Sequence, residues 1–184
     1  MKALILCGGK GTRLRPITWF TPKPLIKITG KCVLEYIVDH LNHYGIYDIA
    51  INLHYKPLQF IKTFGSKLLY SYEPKLLGEE GTINSLRSWF RGDYLLVQNG
   101  DTLTDLDINQ MFRVSQGKNV KFMDGDTYAG VRIIRPDYYE GQKQFNYYDK
   151  KATWLDMGTF KNLRKAKNYV KTISNLRDLS EQRN

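Results

Sequence analysis

The chain has 184 residues, of which 42% are hydrophobic and 25% are charged. These values are typical of one globular domain, and the chain is too short for two full ones. No run of 18 apolar residues occurs, so we expect no membrane span, no signal peptide and a cytoplasmic protein. Cys7 and Cys32 belong to no CxxC motif or Cys/His cluster, which predicts free thiols rather than a disulfide or a zinc site.

The formal net charge of +10 is concentrated at the two ends of the chain. Residues 1–34 contain seven Lys or Arg and no acidic residue, while residues 160–184 contain seven against two acidic residues. Basic segments bind nucleic acid, anionic membranes or phosphorylated small molecules. The sequence lacks the interleaved basic and aromatic residues of a nucleic-acid site, so we expect a small polyanion as ligand and neither nucleic acid nor membrane as partner.

Short apolar runs alternate with segments of helical periodicity, and most of them end at glycine. The predicted strands are 2–7, 48–53, 67–72, 94–98, 119–123, 128–134 and 151–155. The predicted helices are 31–44, 57–64, 82–90, 108–114 and 160–172. Strands that alternate with helices indicate βαβ crossovers, and therefore an α/β fold with a mainly parallel sheet. We expect a single domain over 1–172, followed by a polar and frayed tail over 173–184.

The first predicted strand leads directly into a segment rich in glycine and arginine, residues 7–16 with the sequence CGGKGTRLRP. Glycines let backbone N–H groups approach a phosphate closely, and arginines supply forked donors. Ligands of open α/β sheets bind beyond the carboxyl ends of the strands. We therefore interpret the segment as a phosphate-binding turn, although it matches neither GxGxxG nor the Walker pattern. A glycine turn with solvated cations is the alternative.

Lys23 lies between Pro22 and Pro24. Proline fixes its own φ and restricts the residue before it, so we expect a stiff, extended segment. Such a segment would present the Lys23 ammonium to a phosphate, with a surface lysine in a proline-rich turn as the alternative.

Two aspartates follow predicted strands near glycines. Asp101 ends the sequence Asn99-Gly100-Asp101, and Asp156 precedes Gly158. Mg²⁺ is bound by one or two protein carboxylates together with substrate phosphates, so both aspartates are candidate ligands. Turn or helix-cap residues are the alternative for each of them.

Together these segments resemble the sugar-phosphate nucleotidyltransferase family, whose members join a nucleoside triphosphate to a sugar 1-phosphate. The resemblance rests on the glycine-rich signature at 8–18, the lysine motif at 22–25, the helix opening at 30–36 and the aspartate motifs at 99–101 and 154–159, and it covers residues 1 to about 170. It implies a Rossmann-like three-layer α/β/α sandwich with a mainly parallel mixed sheet. It also implies Mg²⁺ as cofactor, and a nucleoside triphosphate and a phosphorylated small molecule as partners, while a homo-oligomer is left open.

The resemblance also implies roles for individual residues. Arg13 would hold the departing pyrophosphate, Lys23 the reacting phosphates, and Asp101 and Asp156 the Mg²⁺, which makes these four the catalytic residues. The nucleotide-binding residues that it implies are Leu6, Gly8, Gly9, Gly11, Thr12, Arg13, Gly78, Glu79, Glu80, Gly81, Asn99 and Gly100. No protein nucleophile is needed, because a phosphate monoester oxygen is itself the attacking group and catalysis is positioning plus charge neutralisation.

The sequence departs from the family pattern at three places. Glu79 and Glu80 stand where the family has Leu-Gly-Thr-Ala-Gly, beside the base. Segment 122–125 stands where sugar-specific members carry Glu-Lys-Pro, in a region that is shortened between 112 and 129, and no hexapeptide repeat follows the domain. Because cytosine and guanine offer an amino donor, we expect the two glutamates to favour CTP or GTP over UTP or dTTP. Two glutamates that point into solvent from a loop are the alternative.

The leading hypothesis is a Mg²⁺-dependent nucleotidyltransferase that forms an NDP-sugar from a sugar 1-phosphate and releases pyrophosphate. One alternative keeps the reaction and changes the acceptor to a non-sugar phosphomonoester such as phosphocholine, which would make the protein a cytidylyltransferase. The other alternative is a nucleotide-binding protein without turnover.

Overall fold

The computed structural model describes residues 1–139, 144–149 and 152–181, with side chains as far as Lys171. The strands are β1 Lys2–Leu6, β2 Lys27–Ile28, β3 Lys31–Cys32, β4 Ile49–Leu53, β5 Leu69–Tyr72, β6 Leu95–Asn99, β7 Thr102–Thr104, β8 Asn119–Asp124, β9 Thr127–Ile134, β10 Phe145–Asp149 and β11 Trp154–Asp156. The α-helices are α1 Ile17–Phe20, α2 Val33–His43, α3 Pro57–Phe64, α4 Gly78–Ser85, α5 Arg87–Phe90, α6 Ile108–Ser115 and α7 Phe160–Glu181. Two 3₁₀ turns, Thr12–Leu14 and Lys23–Leu25, lie between β1 and β2.

Seven of these strands form the central sheet, in the order β10-β8-β9-β6-β1-β4-β5. Strand β1 lies near its centre and pairs in parallel with both β4 and β6. Strand β9 pairs antiparallel with β6 and with β8, so of the seven strands described it alone runs against the others. The predicted mainly parallel mixed sheet is confirmed. Because β1, β4, β5 and β6 run the same way, their carboxyl ends meet at one edge.

Apolar side chains of alternating strand positions pack on both faces of the sheet. Leu4 packs with Ile83 of α4 and Phe90 of α5 on one face. Ile5, the next residue of β1, belongs to a second cluster that includes Leu34 of α2 on the other face. A strand that is buried on both faces reads as a continuous apolar run, which is why β1 could be predicted from its sequence. The three-layer α/β/α sandwich is confirmed.

The segment that follows β1 differs from the prediction. It contains α1 and the two 3₁₀ turns, whereas no helix was predicted before residue 31. Lys23 begins a 3₁₀ turn instead of lying in an extended segment, since the backbone nitrogen of Leu25 donates to the Pro22 carbonyl at 2.9 Å. The φ angle that proline fixes suits a helical turn as well as an extended chain, and this is the physical reason for the error.

The helices also differ from their predicted bounds. The helix expected over 82–90 begins at Gly78 and is divided into α4 and α5 at Leu86. Helix α7 continues past the expected end at residue 172 as far as Glu181, so the expected frayed tail is helical up to that residue, and 182–184 lie outside the described residues. Ile173, Leu176 and Leu179 continue a three-residue apolar spacing that the prediction overlooked. Among the helices described, none is both long and apolar enough to cross a membrane.

Both cysteines are buried and free, as the sequence predicted. Burial raises the pKa of the Cys32 thiol to about 12. Burial also raises the pKa of Cys7, and the nearby Asp101 carboxylate adds to this effect. Both groups are therefore neutral thiols at physiological pH.

The buried face of α2 provides a direct test of the core. Leu34 is 0% exposed, whereas Leu58, on α3, is 76% exposed. We expect Leu34→Ala to lower the free energy of unfolding by about 2–5 kcal/mol, because it removes buried methyl groups and leaves a cavity. Leu58→Ala should change it by less than about 0.5 kcal/mol. Urea unfolding of both variants measures this, and equal losses would contradict the described packing of α2.

Candidate active site

A cavity of about 350 Å³ opens at the carboxyl ends of β1 and β6. It brings together eight of the site residues implied by the resemblance, from segments that are far apart in sequence: Leu6, Gly9, Gly11, Thr12, Arg13, Lys23, Asn99 and Asp101. The glycine-rich turn, the lysine motif and the first aspartate motif therefore share one cavity.

The glycine turn is held by side chains from two other elements. The backbone nitrogens of Cys7 and Gly8 both point to Asn52 Oδ1, at 2.7 and 3.3 Å. Farther along the turn, Gly11 has a φ of 61°, and its carbonyl accepts a hydrogen bond from Thr18 Oγ1 at 2.8 Å. Glycine suits this left-handed conformation, which side chains disfavour. The turn is thus anchored at both ends before any ligand binds.

A buried carboxylate that sequence reasoning missed supports Asn52. Glu73 directly follows β5 and is 1% exposed. Its Oε1 accepts a hydrogen bond from Asn52 Nδ2 at 3.1 Å, and its Oε2 accepts one from the backbone nitrogen of Leu77 at 3.1 Å. The hydroxyl of Thr82 also donates to Oε1. The available signal was a charged residue immediately after a strand, at the same sheet edge as Asn99.

A second cavity, of about 190 Å³, lies on the other side of the glycine turn. It shares Leu6 and Gly9 with the larger cavity, and its wall adds the expected residues Gly8, Gly78 and Glu79 together with Asn52 and Glu73. The expected residues Glu80, Gly81, Gly100 and Asp156 are not among the residues that line these two cavities. Gly100 has a packing role instead, because a Cβ there would lie 2.7 Å from the carbonyl oxygen of Leu6.

Lys23 and Asp101 form an ion pair in the larger cavity. The Lys23 side chain is 11% exposed and that of Asp101 is 24% exposed, so the pair is largely shielded from water. A charge that is removed from water needs a partner, and each of these residues supplies the other's. The lysine is therefore fixed beside the carboxylate, and the alternative of a surface lysine in a proline-rich turn is excluded.

Strand pairing brings Asp156 close to Asp101 in space. It ends β11, which pairs antiparallel with β7, and the backbone nitrogen of Met157 donates to the Asp101 carbonyl at 2.8 Å. Asp156 Oδ1 is buried and is one of the polar atoms without a hydrogen-bond partner among the described residues. A Cβ at Gly158 would lie 2.9 Å from both Arg13 Nη2 and Asp156 Oδ2, so the ends of these two side chains both lie close to Gly158.

The two aspartates fit a divalent cation that is also bound by substrate. Within the described part of the chain, no group of three or more His, Cys, Asp or Glu side chains could hold a metal ion. Mg²⁺ does not require such a cage, because it takes one or two carboxylates and completes its shell with phosphate oxygens and water. The unpartnered, buried Asp156 Oδ1 suits that role.

The two glutamates do not lie in a loop. Both belong to the first turn of α4, and their carboxylates converge on Arg132 of β9. Arg132 Nη2 lies 2.9 Å from Glu79 Oε1 and 2.8 Å from Glu80 Oε1. The solvated-loop alternative is therefore wrong. The expected base preference stays a prediction, now confined to Glu79, because Glu79 lines the smaller cavity and Glu80 is not among its lining residues.

Comparison with known proteins agrees with this geometry. A family model described as "Nucleotidyl transferase" matches residues 2–132, and the chain belongs to this family. It is 35% identical over 147 residues to D-glycero-alpha-D-manno-heptose 1-phosphate guanylyltransferase of Campylobacter jejuni, covering 74% of this chain and 65% of that protein. It is 27% identical over 223 residues to N-acetylmuramate alpha-1-phosphate uridylyltransferase of Neisseria meningitidis, covering 90% and 96%.

The fold is shared with solved structures as well. HddC from Yersinia pseudotuberculosis, crystallised in complex with GMP-PN, superimposes with a TM-score of 0.78 at 22% sequence identity. The superposition covers 92% of this chain and 99% of HddC. At 22% sequence identity, this similarity establishes a shared fold and no more. The match spans 65% of the length of the Campylobacter relative.

The glycine turn gives a prediction with a matched control in the neighbouring residue. A Cβ at Gly8 would lie 2.9 Å from Asn52 Nδ2, an atom already bonded to Glu73, whereas a Cβ at Gly9 would meet nothing within 4 Å. We expect Gly8→Ala to destabilise the ligand-free protein by about 1–3 kcal/mol through overpacking. Gly9→Ala should leave the unfolding midpoint in urea unchanged, and a large loss there would contradict the described turn.

Proposed function

We propose that this chain is a nucleotidyltransferase that joins a nucleoside triphosphate to a sugar 1-phosphate, forms an NDP-sugar and releases pyrophosphate. The observation that carries the proposal is the convergence of the glycine turn, Lys23 and Asp101 on one cavity, with Asp156 on the neighbouring strand pair. Membership of the nucleotidyl transferase family supports the reaction type. The names of the Campylobacter and Neisseria relatives support a sugar 1-phosphate as acceptor.

The triphosphate binds at the glycine turn in this proposal. Gly9 and Gly11 let their backbone come close to phosphate oxygens, and Arg13 supplies a forked donor to the same cavity. Gly8 and Cys7 are already held by Asn52, so the turn loses little conformational freedom when the nucleotide binds. The nucleoside occupies the smaller cavity on the other side of the turn.

The reaction needs no protein nucleophile. An oxygen of the acceptor phosphate attacks the α-phosphorus of the triphosphate and forms the new P–O bond. The bond between the α-phosphorus and the oxygen that bridges to the β-phosphorus breaks, and its electron pair leaves with pyrophosphate. Lys23 and Arg13 compensate the charge of the phosphates that must approach each other, which is where charge neutralisation lowers the barrier. The rigid cavity aligns the two reactants.

Asp101 and Asp156 would hold a Mg²⁺ ion. When bound, that ion supplies positive charge to the reacting phosphates. In the ligand-free protein, Lys23 partly compensates Asp101, and Asp156 Oδ1 has no hydrogen-bond partner within the described residues. The chain's own contribution is to hold these two carboxylates at adjacent strand ends. The hydrogen bond from the backbone nitrogen of Met157 to the carbonyl of Asp101 joins the two ends.

A substrate screen tests the proposal. The four common nucleoside triphosphates are each combined with a panel of sugar 1-phosphates and with phosphocholine, and pyrophosphate release is measured. Turnover with a sugar 1-phosphate is the expected result. Turnover with CTP and phosphocholine alone would favour the cytidylyltransferase alternative. Nucleotide binding by calorimetry without turnover for any pair would favour the binding protein and refute the proposed activity.

The metal-binding carboxylates give the first prediction on activity. Asp101→Asn and Asp156→Asn each remove one negative charge with little change in volume, so turnover should fall by several orders of magnitude in both variants. The unfolding transition should stay close to wild type in Asp156→Asn, whereas Asp101→Asn should also lower it because Lys23 loses its partner. Asp39→Asn is the matched control, because Asp39 is 44% exposed and pairs with Lys31 away from the cavity. Near-normal activity of either site variant at saturating Mg²⁺ removes that residue from the metal site.

The cations of the glycine turn give a second prediction. Arg13 lines the larger cavity, whereas Arg15 is exposed in the same loop and is not among its lining residues. Arg13→Ala should weaken triphosphate binding by about 1.5–3 kcal/mol, the range for a hydrogen bond to a charged group. Arg15→Ala should have little effect. Calorimetric titration decides this, and an unchanged affinity in the Arg13 variant would remove its contact with phosphate.

A further inference from the structure

A further cavity, of about 450 Å³, lies beside α4 and α5 and shares no lining residue with the two cavities of the proposed reaction site. Its volume is within the usual range of small-molecule sites. Two arginines, three neutral polar residues and one proline form its wall: Asn84, Ser85, Arg87, Ser88, Arg91 and Pro136. All of them except the half-buried Pro136 are exposed, so a ligand can reach this cavity directly from solvent.

The wall that carries the two arginines has a fixed position. Helix α5 is anchored by Leu86 and Phe90, which pack in the core on one face of the sheet. The guanidinium of Arg87 lies 5.5 Å from the centroid of the Tyr139 ring, close enough for cation–π attraction. The Tyr139 hydroxyl in turn donates to the Glu80 carbonyl at 3.0 Å. Arg87 is therefore oriented before any ligand binds.

The cavity also has a positive charge with no acidic residue on its wall. No Asp or Glu is among the described residues that line it, and Arg91 has no ion-pair partner within the described part of the chain. The carboxylates nearest in sequence are bound to other cations: Asp93 to Lys2, Asp137 to Arg135 and Glu80 to Arg132. Arg87 and Arg91 are four positions apart, a spacing at which like charges repel each other. An anion bound between them would remove that repulsion.

We propose that this cavity binds a sugar phosphate at a site separate from the proposed reaction site. Guanidinium groups form paired hydrogen bonds to phosphate oxygens, so the two arginines suit the phosphate. Asn84 and Ser88 supply donors and acceptors for sugar hydroxyls. The Ser85 hydroxyl donates to the Thr82 carbonyl at 2.8 Å, which leaves its oxygen as an acceptor. None of the described lining residues is aromatic, so a nucleobase has no ring to stack on, and a sugar phosphate is favoured over a nucleotide.

Helix α4 separates this cavity from the reaction site. Gly78 and Glu79, at the start of α4, line the smaller cavity, whereas Asn84 and Ser85 end the helix and line the cavity with the arginines. A sugar phosphate and a nucleotide can therefore be bound at the same time.

Calorimetric titration tests the proposal. The probes are inorganic phosphate and a panel of hexose 6-phosphates and pentose 5-phosphates, which carry no 1-phosphate and so are not acceptors in the proposed reaction. Each probe is titrated into the wild type and into Arg13→Ala, which impairs only the reaction site. At least one sugar phosphate should bind more tightly than inorganic phosphate, and equally to both proteins. Arg91→Ala should weaken that binding about tenfold or more, the value of a hydrogen bond to a charged group.

Two further variants sharpen the test. Arg113→Ala is the matched control, because Arg113 is an exposed arginine of α6 that is not among the lining residues of these cavities, and it should leave binding unchanged. Asn84→Ala should weaken binding of the sugar phosphate but not of inorganic phosphate, since it removes a partner of hydroxyl groups alone. Arg91 is exposed, so Arg91→Ala should keep the wild-type unfolding midpoint in urea.

Several outcomes would overturn the proposal. Equal weakening in Arg91→Ala and Arg113→Ala would reveal a general effect of net charge. Loss of binding in Arg13→Ala would place the probe in the reaction site. Absence of binding by every probe, or equal affinity for inorganic phosphate and all the sugar phosphates, would leave no sugar phosphate site. No measurement in this series uses turnover, so its result does not depend on whether the proposed function is correct.

Discussion

The rest of the site depends on the hydrogen-bonded link between Asn52 and Glu73. Asn52 Oδ1 fixes the backbone of the glycine turn, and Asn52 Nδ2 is fixed in turn by Glu73. Glu73 also holds the start of α4 through the backbone nitrogen of Leu77. Two side chains, those of Asn52 and Glu73, therefore join the ends of β1, β4 and β5 to helix α4. A buried carboxylate is stable only when its oxygens are bonded, so the link either forms completely or costs stability.

This link explains how the backbone of the glycine turn is held in place although its glycines have no side chains. Backbone N–H groups bind phosphate strongly only when they are held in one direction before the ligand arrives. Glycine gives close approach but is the residue that loses most entropy on ordering. Asn52 supplies the ordering from outside the turn, and Thr18 does so at Gly11. The close approach comes from the glycines, and the rigidity comes from neighbouring elements.

The parts of the site that could be predicted are those encoded within a few residues. The glycine turn, the lysine between two prolines and each aspartate near a glycine all carry a local signal at the end of an apolar strand. Glu73 carried only its position directly after a strand, and Arg132 carried no local signal, because the roles of both residues exist only after the sheet has formed. Glu80 and its hydrogen-bond partner Arg132 are 52 positions apart, and no spacing rule connects α4 to β9. The short strands β2, β3 and β7 were missed for a similar reason, since two or three residues are too few for a periodic pattern.

Residues 122–125, which stand where the resemblance implies an acceptor-binding motif, have structural contacts instead. Phe122, at the position where the resemblance implies a Glu-Lys-Pro motif, is 0% exposed in the core. Asp124, at the end of β8, accepts a hydrogen bond from Trp154 Nε1 at 2.8 Å. Trp154 begins β11, which ends at Asp156, so this segment supports the strand that carries the second aspartate.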